Sequence, residues 1–330
     1  MISGKRVLVT GCSGLLGTAL CEKLLSHNAQ IYGLDREHHP KSRIHEIKSR
    51  LNLITADVRD FERLNALIEK ERIEFVFHLA AQAIVGEAAK QPVETFKDNI
   101  EGTWNVLESA RLAGARQNML AVIVASSDKA YGDQDQLPYV ETAPMQGRFP
   151  YDVSKSCADL IAQSYFHSYK VPVCVVRCGN LYGAGDLQFS RIVPGTILSL
   201  LNNERPVIRS DGTNIRDYVY VEDAADAYIA IAGAMMKDAQ ICGEAFNIGD
   251  NTPLSVLDVV KEIQKVMRRE DLEPIIANVA SLEIKKQFLD SNKVRRLVGW
   301  QPSHTFAQAL AKTVAWYSTV YFQQKDTSSV

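Results

Sequence analysis

The chain has no concentrated block of basic residues, and its formal net charge is only -2. Nucleic acid and membrane surfaces are therefore poor candidates for its main partner. It also lacks any run of 18 uninterrupted apolar residues, so no membrane-spanning helix is expected. The N-terminus enters a strand-like RVLVTG almost at once, without the charged, apolar and cleavage regions of a signal peptide, and a cytoplasmic location is the expectation. There is no CxxC pair. The six cysteines, Cys12, Cys21, Cys157, Cys174, Cys178 and Cys242, follow no framework spacing and read as reduced, mostly buried thiols without a metal or disulfide role. Repeats and low-complexity tracts are absent too. What remains is 330 residues at 46% hydrophobic and 23% charged, which rules out disorder and suits one large domain or two unequal lobes acting on small molecules.

From residue 5 to about 178, short β-branched runs alternate with helical patterns. RVLVTG, AQIYGLD, NLITADV, EFVFHLAA, MLAVIVASS and VPVCVVRCGN read as strands; near-continuous apolar runs of this kind suit parallel strands covered on both faces. Helical patterns fall at 15–27, 60–70, 93–114 and 151–169, with Asp60 and Asp152 near helix starts. The alternation predicts a doubly wound, parallel α/β sheet. Beyond residue 180 come a Gly-rich turn, helices near 192–202, 255–268 and 306–320, and the strand-like RDYVYVED. The expected division is a dinucleotide-binding domain over 1–180, with 213–248 returning to it, and a smaller α/β substrate lobe over most of 181–330, ending in a frayed polar tail.

Gly11, Gly14 and Gly17 lie between the first strand and the first helix. Glycines at such a turn let the backbone approach a pyrophosphate, whose charge is met by free amides and the helix dipole. The Gly-x-x-Gly-x-x-Gly spacing has a longer first gap than the usual dinucleotide fingerprint, and a plain turn is the alternative. No Gly-Lys-Ser/Thr follows to make a P-loop, and Ser13 does not lie in a nucleophile elbow. Asp35 ends the second strand, where a carboxylate would bind the ribose hydroxyls of NAD and repel a 2′-phosphate. Arg36 beside it could instead accept that phosphate, so NAD is favoured over NADP without excluding it. Asp57 and Val58, after the third strand, either hold an adenine edge or simply cap the strand.

Tyr151 and Lys155 stand four apart near a helix start and so share a face. A tyrosine whose pKa is depressed by a neighbouring ammonium can exchange a proton with a sugar hydroxyl during hydride transfer. The same spacing recurs at Tyr321 and Lys325 in the polar tail, where it carries no meaning. Ser127, Asp128 and Lys129 close the fifth strand, at the end that faces ligands in an open parallel sheet; a surface turn with a local ion pair is the alternative. His78 reads as a structural histidine, and His38 and His39 as solvent-exposed.

Together TGCSGLLG, DVRD, HLAAQ, NIEGTWNVLESAR, YDVSK, RCGNLYG, RDYVYVED, FNIG and LVGWQP make the chain resemble, end to end, an extended short-chain dehydrogenase/reductase of the NAD-dependent epimerase/dehydratase type. The likeness is strongest to nucleotide-sugar 4,6-dehydratases with a Ser-Asp-Lys run, as in CDP-glucose 4,6-dehydratases. Lys129 departs from the glutamate of the dTDP-glucose enzymes. The resemblance implies a Rossmann-like fold and a tightly bound NAD. It also implies a homodimer through a four-helix bundle built from the 93–114 and 151–169 helices.

The implied reaction has three steps. Tyr151 takes the proton of the 4-hydroxyl, aided by Lys155, as hydride passes from carbon 4 to NAD. Lys129 then removes the carbon 5 proton while Asp128 protonates the departing 6-hydroxyl. Hydride finally returns to carbon 6, and Ser127 holds the 4-oxygen throughout. A lysine base must be neutral, against an ordinary pKa near ~10.4; otherwise Lys129 would orient Asp128 or stabilise an enolate. The resemblance further implies cofactor contacts at Leu15, Leu16, Leu79, Ala80, Ala81 and Asn99, and substrate contacts at Gln82, Asn180, Arg191, Val193 and Arg216. A 4-epimerase or ketoreductase would use Ser127, Tyr151 and Lys155 alone, and a non-catalytic NAD sensor would need none of them.

Overall fold

The computed structural model describes residues 2–37, 40–114, 119–279 and 284–327, without the side chains of 321–327. His38 and His39, and the side chains of Tyr321 and Lys325, lie outside the described residues. Seven strands form one sheet: β1 (Arg6–Thr10), β2 (Gln30–Asp35), β3 (Asn52–Thr55), β4 (Phe75–His78), β5 (Ala121–Ser127), β6 (Val173–Cys178) and β7 (Ala245–Ile248). All pairings are parallel, in the order β7-β6-β5-β4-β1-β2-β3. This is the doubly wound, Rossmann-like sheet expected from the alternation of β and α.

The apolar runs are continuous because both faces are covered. Val7, Val9, Phe75, Phe77 and Ile123 point to one side, against α1 (Leu15–Ser26), while Leu8, Val76, Val122 and Val124 point to the other. Each such fully buried side chain contributes roughly 1.5–3 kcal/mol of burial free energy. The second face is covered by α2 (Phe61–Lys70), α3 (Gly102–Gly114) and α4 (Pro150–Tyr169). Asp60 caps α2 by accepting from the Arg63 amide. Asp152 lies in the first turn of α4, whose N-cap is Phe149.

The helix expected over 93–114 runs without a gap from Pro92 to Gly114: Pro92–Phe96 continues through a π-helical turn at Lys97–Glu101 into α3. At this turn Asn99 buries its side chain among polar partners, and Gly102 is so close to Val58 that a Cβ would lie 2.7 Å from its Cγ2.

Helices α5 (Ile192–Leu201), α7 (Val256–Met267) and α8 (Phe306–Thr327) pack on one another. The intervening α6 (Val221–Met235) leaves them to pack on α1, and β7 then joins the main sheet beside β6. The last helix runs to Thr327, well into the tail expected to fray. Two small sheets cross between the parts: Asn180–Tyr182 pairs with Tyr218–Tyr220, and Ile215–Arg216 lies between Leu254–Ser255 and Lys286–Gln287.

Candidate active site

A cleft of about 1340 Å³ opens at the carboxyl ends of the strands, where the strand order reverses between β1 and β4. In an open α/β sheet this reversal is where ligands bind.

Gly11 has φ +70°, and a Cβ there would come within 2.8 Å of the Ala80 nitrogen, so only glycine fits between the two strand ends. A Cβ on Gly17 would lie 2.1 Å from the Gly11 carbonyl oxygen. These contacts hold α1 against the loop. Gly14 caps α1 without any side-chain hydrogen bond, leaving the first amides of the helix for an anion. Asp35 accepts from the backbone and hydroxyl of Ser13 and from the Arg36 amide at 2.9 Å. Arg36 pairs with Asp98 at 3.1 Å, and both line the cleft. The loop, the uncapped helix and the carboxylate fit NAD.

Leu15, Leu16, Asp57, Val58, Leu79, Ala80 and Ala81 all line this half of the cleft. Asp57 accepts from the Arg59 backbone amide at 2.9 Å, a capping contact, and from the Arg59 guanidinium; burial would raise its pKa, but these hydrogen bonds outweigh that and hold it below the usual range. Asn99 and Gln82 do not line the cleft. Asn99 instead fastens the loop after β4, accepting from the Gln82 amide at 2.7 Å and donating to the Gln82 carbonyl at 3.0 Å and to Ser154 at 2.8 Å. The Gln82 side chain, expected on the substrate, folds back onto the backbone of Ile84. His78 is clasped between Thr10 and Thr103, and burial pulls its pKa down to about 3, which keeps it neutral.

Ser127, Lys129, Tyr151 and Lys155 converge on the middle of the cleft. Ser127 ends β5 and caps the 3₁₀ turn Asp128–Tyr131, accepting from the Lys129 amide. Burial pushes the Tyr151 phenol up to about 12, opposed by a hydrogen bond with Ser127. Burial pulls Lys155 down to about 8, and its ammonium donates to the Ala125 carbonyl at 2.8 Å. Arg191 also lowers the phenol, while Asp128 and Asp152 raise it.

Asp128 differs from the expectation in its exposure. It is 1% exposed and does not line the cleft; Oδ1 accepts from Ser127 at 3.0 Å, and Oδ2 is buried without a hydrogen-bond partner, 4.0 Å from the Lys129 ammonium. Leaving such an oxygen unsatisfied costs about 1–3 kcal/mol, a cost that a ligand hydroxyl would remove. Position in sequence put Asp128 at the strand end but could not show that the following turn folds it inward.

The opposite wall carries Asn180, Arg191 and Val193 together with Arg216. Arg191 pairs with Asp186 at 3.0 Å, and Arg216 donates to the carbonyls of Ile215 and Lys285. Arg209, not foreseen from the sequence, adds a third guanidinium to this wall. Asp152 was also missed: it lines the cleft, and burial raises its pKa to about 6 against the pull of Lys129. Its place inside YDVSK was the available signal. Asp217 lies behind the cleft, fully buried and raised to about 7 by burial, with Asp128 and Asp250 adding to the rise. Among the described residues no group of three or more His, Cys, Asp or Glu could hold a metal ion.

Residues 7–249 match the family described as NAD dependent epimerase/dehydratase. A CDP-glucose 4,6-dehydratase of Salmonella typhimurium is 30% identical over 95% of this chain and 90% of its own length. A dTDP-glucose 4,6-dehydratase of Neisseria gonorrhoeae is 29% identical, with 95% of each chain covered. Among solved structures, a dTDP-glucose 4,6-dehydratase of Streptomyces venezuelae with NAD bound superposes with a TM-score of 0.85 at 25% identity, covering 96% of this chain and 98% of that one. A UDP-glucose 4-epimerase of Thermotoga maritima gives 0.87 at 25% identity, over 96% and 99%. With three quarters of its length matched, including the glycine loop, the Ser-Asp-Lys turn and the Tyr-Lys pair, the chain belongs to the NAD dependent epimerase/dehydratase family.

Proposed function

We propose that the protein is a nucleotide-sugar 4,6-dehydratase that converts its substrate to a 4-keto-6-deoxy sugar with loss of water. The observation that carries this reading is the ionisable pair beside the Tyr-Lys pair: Lys129 in the cleft wall, with the unpartnered Asp128 oxygen 4.0 Å from its ammonium. An epimerase or ketoreductase has no need of that pair.

The glycine loop, Asp35, Asp57 and Val58 would hold NAD, with Tyr151 and Lys155 at its reactive end. When bound, NAD takes a hydride from carbon 4 of the sugar and later returns it to carbon 6. Tyr151 receives the 4-hydroxyl proton. Burial opposes this, with Asp128 and Asp152 adding to it, so the hydrogen bond with Ser127 and positive charge brought into the cleft must bring the phenol down from about 12. Ser127 then steadies the 4-keto oxygen, whose electron withdrawal acidifies carbon 5. Lys129, as a neutral amine, removes the carbon 5 proton, and the carbon 6–oxygen bond breaks as Asp128, which must first turn from its buried position into the cleft, gives its proton to the leaving hydroxyl. Water departs, a proton returns to carbon 5, and the ketone at carbon 4 is retained.

Three guanidinium groups, Arg191, Arg209 and Arg216, with Asn180 and Val193, support a nucleoside diphosphate on the far wall. The homodimer reading rests on α3 and α4, which pack side by side and carry the exposed Trp104, Leu160 and Tyr169, apolar surface that a four-helix bundle would cover. A cytoplasmic setting fits the six free cysteines. Separately, no helix among the described residues is long and apolar enough to cross a membrane.

The test is mass spectrometry of CDP-glucose, dTDP-glucose, UDP-glucose, UDP-N-acetylglucosamine and GDP-mannose after incubation with protein and NAD. Loss of one water from one of them is expected. Unchanged mass with inverted stereochemistry at carbon 4 would replace the dehydratase by an epimerase.

A further inference from the structure

Gln287 is fully buried, yet it comes from a part of the chain far from the catalytic turn in sequence. Its amide reaches both residues of the ionisable pair: Nε2 donates to the Asp128 carbonyl at 3.1 Å, and Oε1 accepts from the Lys129 ammonium. Its strand, Lys286–Gln287, runs parallel to Ile215–Arg216, with Gln287 directly opposite Arg216. The wall that presents the arginine therefore also grips the lysine.

The chemistry of the gripping group matters as much as its position. Lys129 already has Asp128 beside it in its own turn and Asp152 facing it from α4. Asp217, just beyond Arg216, acts on Asp128 from behind, while the Arg216 guanidinium is engaged with backbone carbonyls and Lys286 is exposed. Another carboxylate at position 287 would hold the ammonium charged. An amide oxygen also favours the ammonium that donates to it, but as a neutral dipole it does so less than a carboxylate would.

We infer that Gln287 is a positioning residue for the acid–base pair, fixing the Lys129 amine at the cleft wall with a neutral acceptor in place of a carboxylate. The inference rests on the dehydratase reading for its consequence in catalysis, but the grip on Lys129 can be measured without turnover.

Gln287→Glu keeps the shape and adds a charge; Gln287→Leu removes the acceptor without adding one. In NAD-bound protein labelled with ¹³C at lysine Cε, the Lys129 signal is assigned by its loss in Lys129→Met and titrated without substrate. Gln287→Glu should raise its midpoint by about one unit or more, as an added opposite charge at contact distance does. The acid limb of dehydration should move the same way, slowing water loss near neutral pH by ~10-fold, the factor that one unit implies for a base that must be neutral. Early cofactor reduction at 340 nm, which depends on Tyr151, should change by less than about threefold, since that step does not use the pair. Gln287→Leu should slow water loss without raising the midpoint.

An unmoved Lys129 midpoint in Gln287→Glu, or wild-type water loss in either variant that still binds NAD, would overturn the inference. If the unaltered protein dehydrates no sugar nucleotide, the proposed function fails instead, and the titration still decides whether Gln287 governs the lysine.

Discussion

Gly14 and Gly17 stand three residues apart in one loop, yet alanine should act on them in different ways. At Gly17 a Cβ would lie 2.1 Å from the Gly11 carbonyl oxygen and 2.8 Å from the Cys12 Cα. All of the obstructing atoms are backbone, so α1 must move away from the loop by about 1 Å to restore ordinary contact, a displacement in the range where overpacking costs ~1–3 kcal/mol. At Gly14 the backbone is already ordinary for alanine, with φ -74°, and a Cβ would meet only the Gly11 oxygen at 3.4 Å. Its methyl would enter the cleft, over the amides that would receive the pyrophosphate. Gly17→Ala should therefore lower both the melting temperature, by several degrees, and NAD affinity, where a shift of this size costs on the order of 100-fold. Gly14→Ala should keep the melting temperature within about a degree and lose NAD affinity alone. Differential scanning calorimetry and NAD titration calorimetry separate the two. A Gly14→Ala protein that binds NAD like the unaltered protein would refute the placement of the pyrophosphate on this helix end, and an unchanged melting temperature in Gly17→Ala would refute the packing argument.

Lys129→Met should still reduce cofactor on adding substrate but stall before water loss, whereas Tyr151→Phe should block cofactor reduction itself; stopped-flow absorbance at 340 nm with quenched product analysis distinguishes them, and normal dehydration by Lys129→Met would remove the lysine from the base role. Asp217 is raised to about 7 by burial, so its neutral form favours the fold below the unfolded value near ~3.9, and that stability is lost as pH rises toward 7 at up to ~1.4 kcal/mol per unit. Asp217→Asn should accordingly lose less stability than the unaltered protein between pH 5 and 7.5 in urea melts, and equal slopes would count against a neutral acid there. His78, held neutral with its pKa near 3, gives the opposite slope as pH falls below ~6.5 and is common to both proteins, so the difference isolates Asp217. Leu160→Glu, on the exposed face of α4, should shift the protein from dimer to monomer in light scattering with NAD binding intact; a dimer that persists would exclude that face.

The sheet was legible in the sequence because covering both faces forces the same signal onto every strand, an apolar run with β-branched residues, as in Val7 to Val9 and Val173 to Val176. The cofactor half of the site was legible for a related reason: Gly11 and Gly17 answer to backbone contacts that only glycine satisfies, and such constraints leave a fixed spacing. Side-chain direction was not legible. Asp128 and Lys129 are adjacent in a 3₁₀ turn, and nothing in their order shows that the first points inward and the second lines the cleft. Gln82 looked like a wall residue but satisfies its own loop, because Asn99 has taken the backbone groups that would otherwise hold that loop. Gln287 was invisible for a third reason: its role comes from a contact across 158 residues, made by a two-residue strand too short to have a periodicity.

The central claim is that hydride leaves carbon 4 and returns to carbon 6 of the same sugar around a water elimination. A nucleotide sugar carrying deuterium at carbon 4, dehydrated by the protein in ordinary water, tests it most directly by NMR and mass. The account predicts a product lighter by one water with the deuterium at carbon 6. Deuterium retained at carbon 4 with inverted configuration, or lost to solvent, would contradict it.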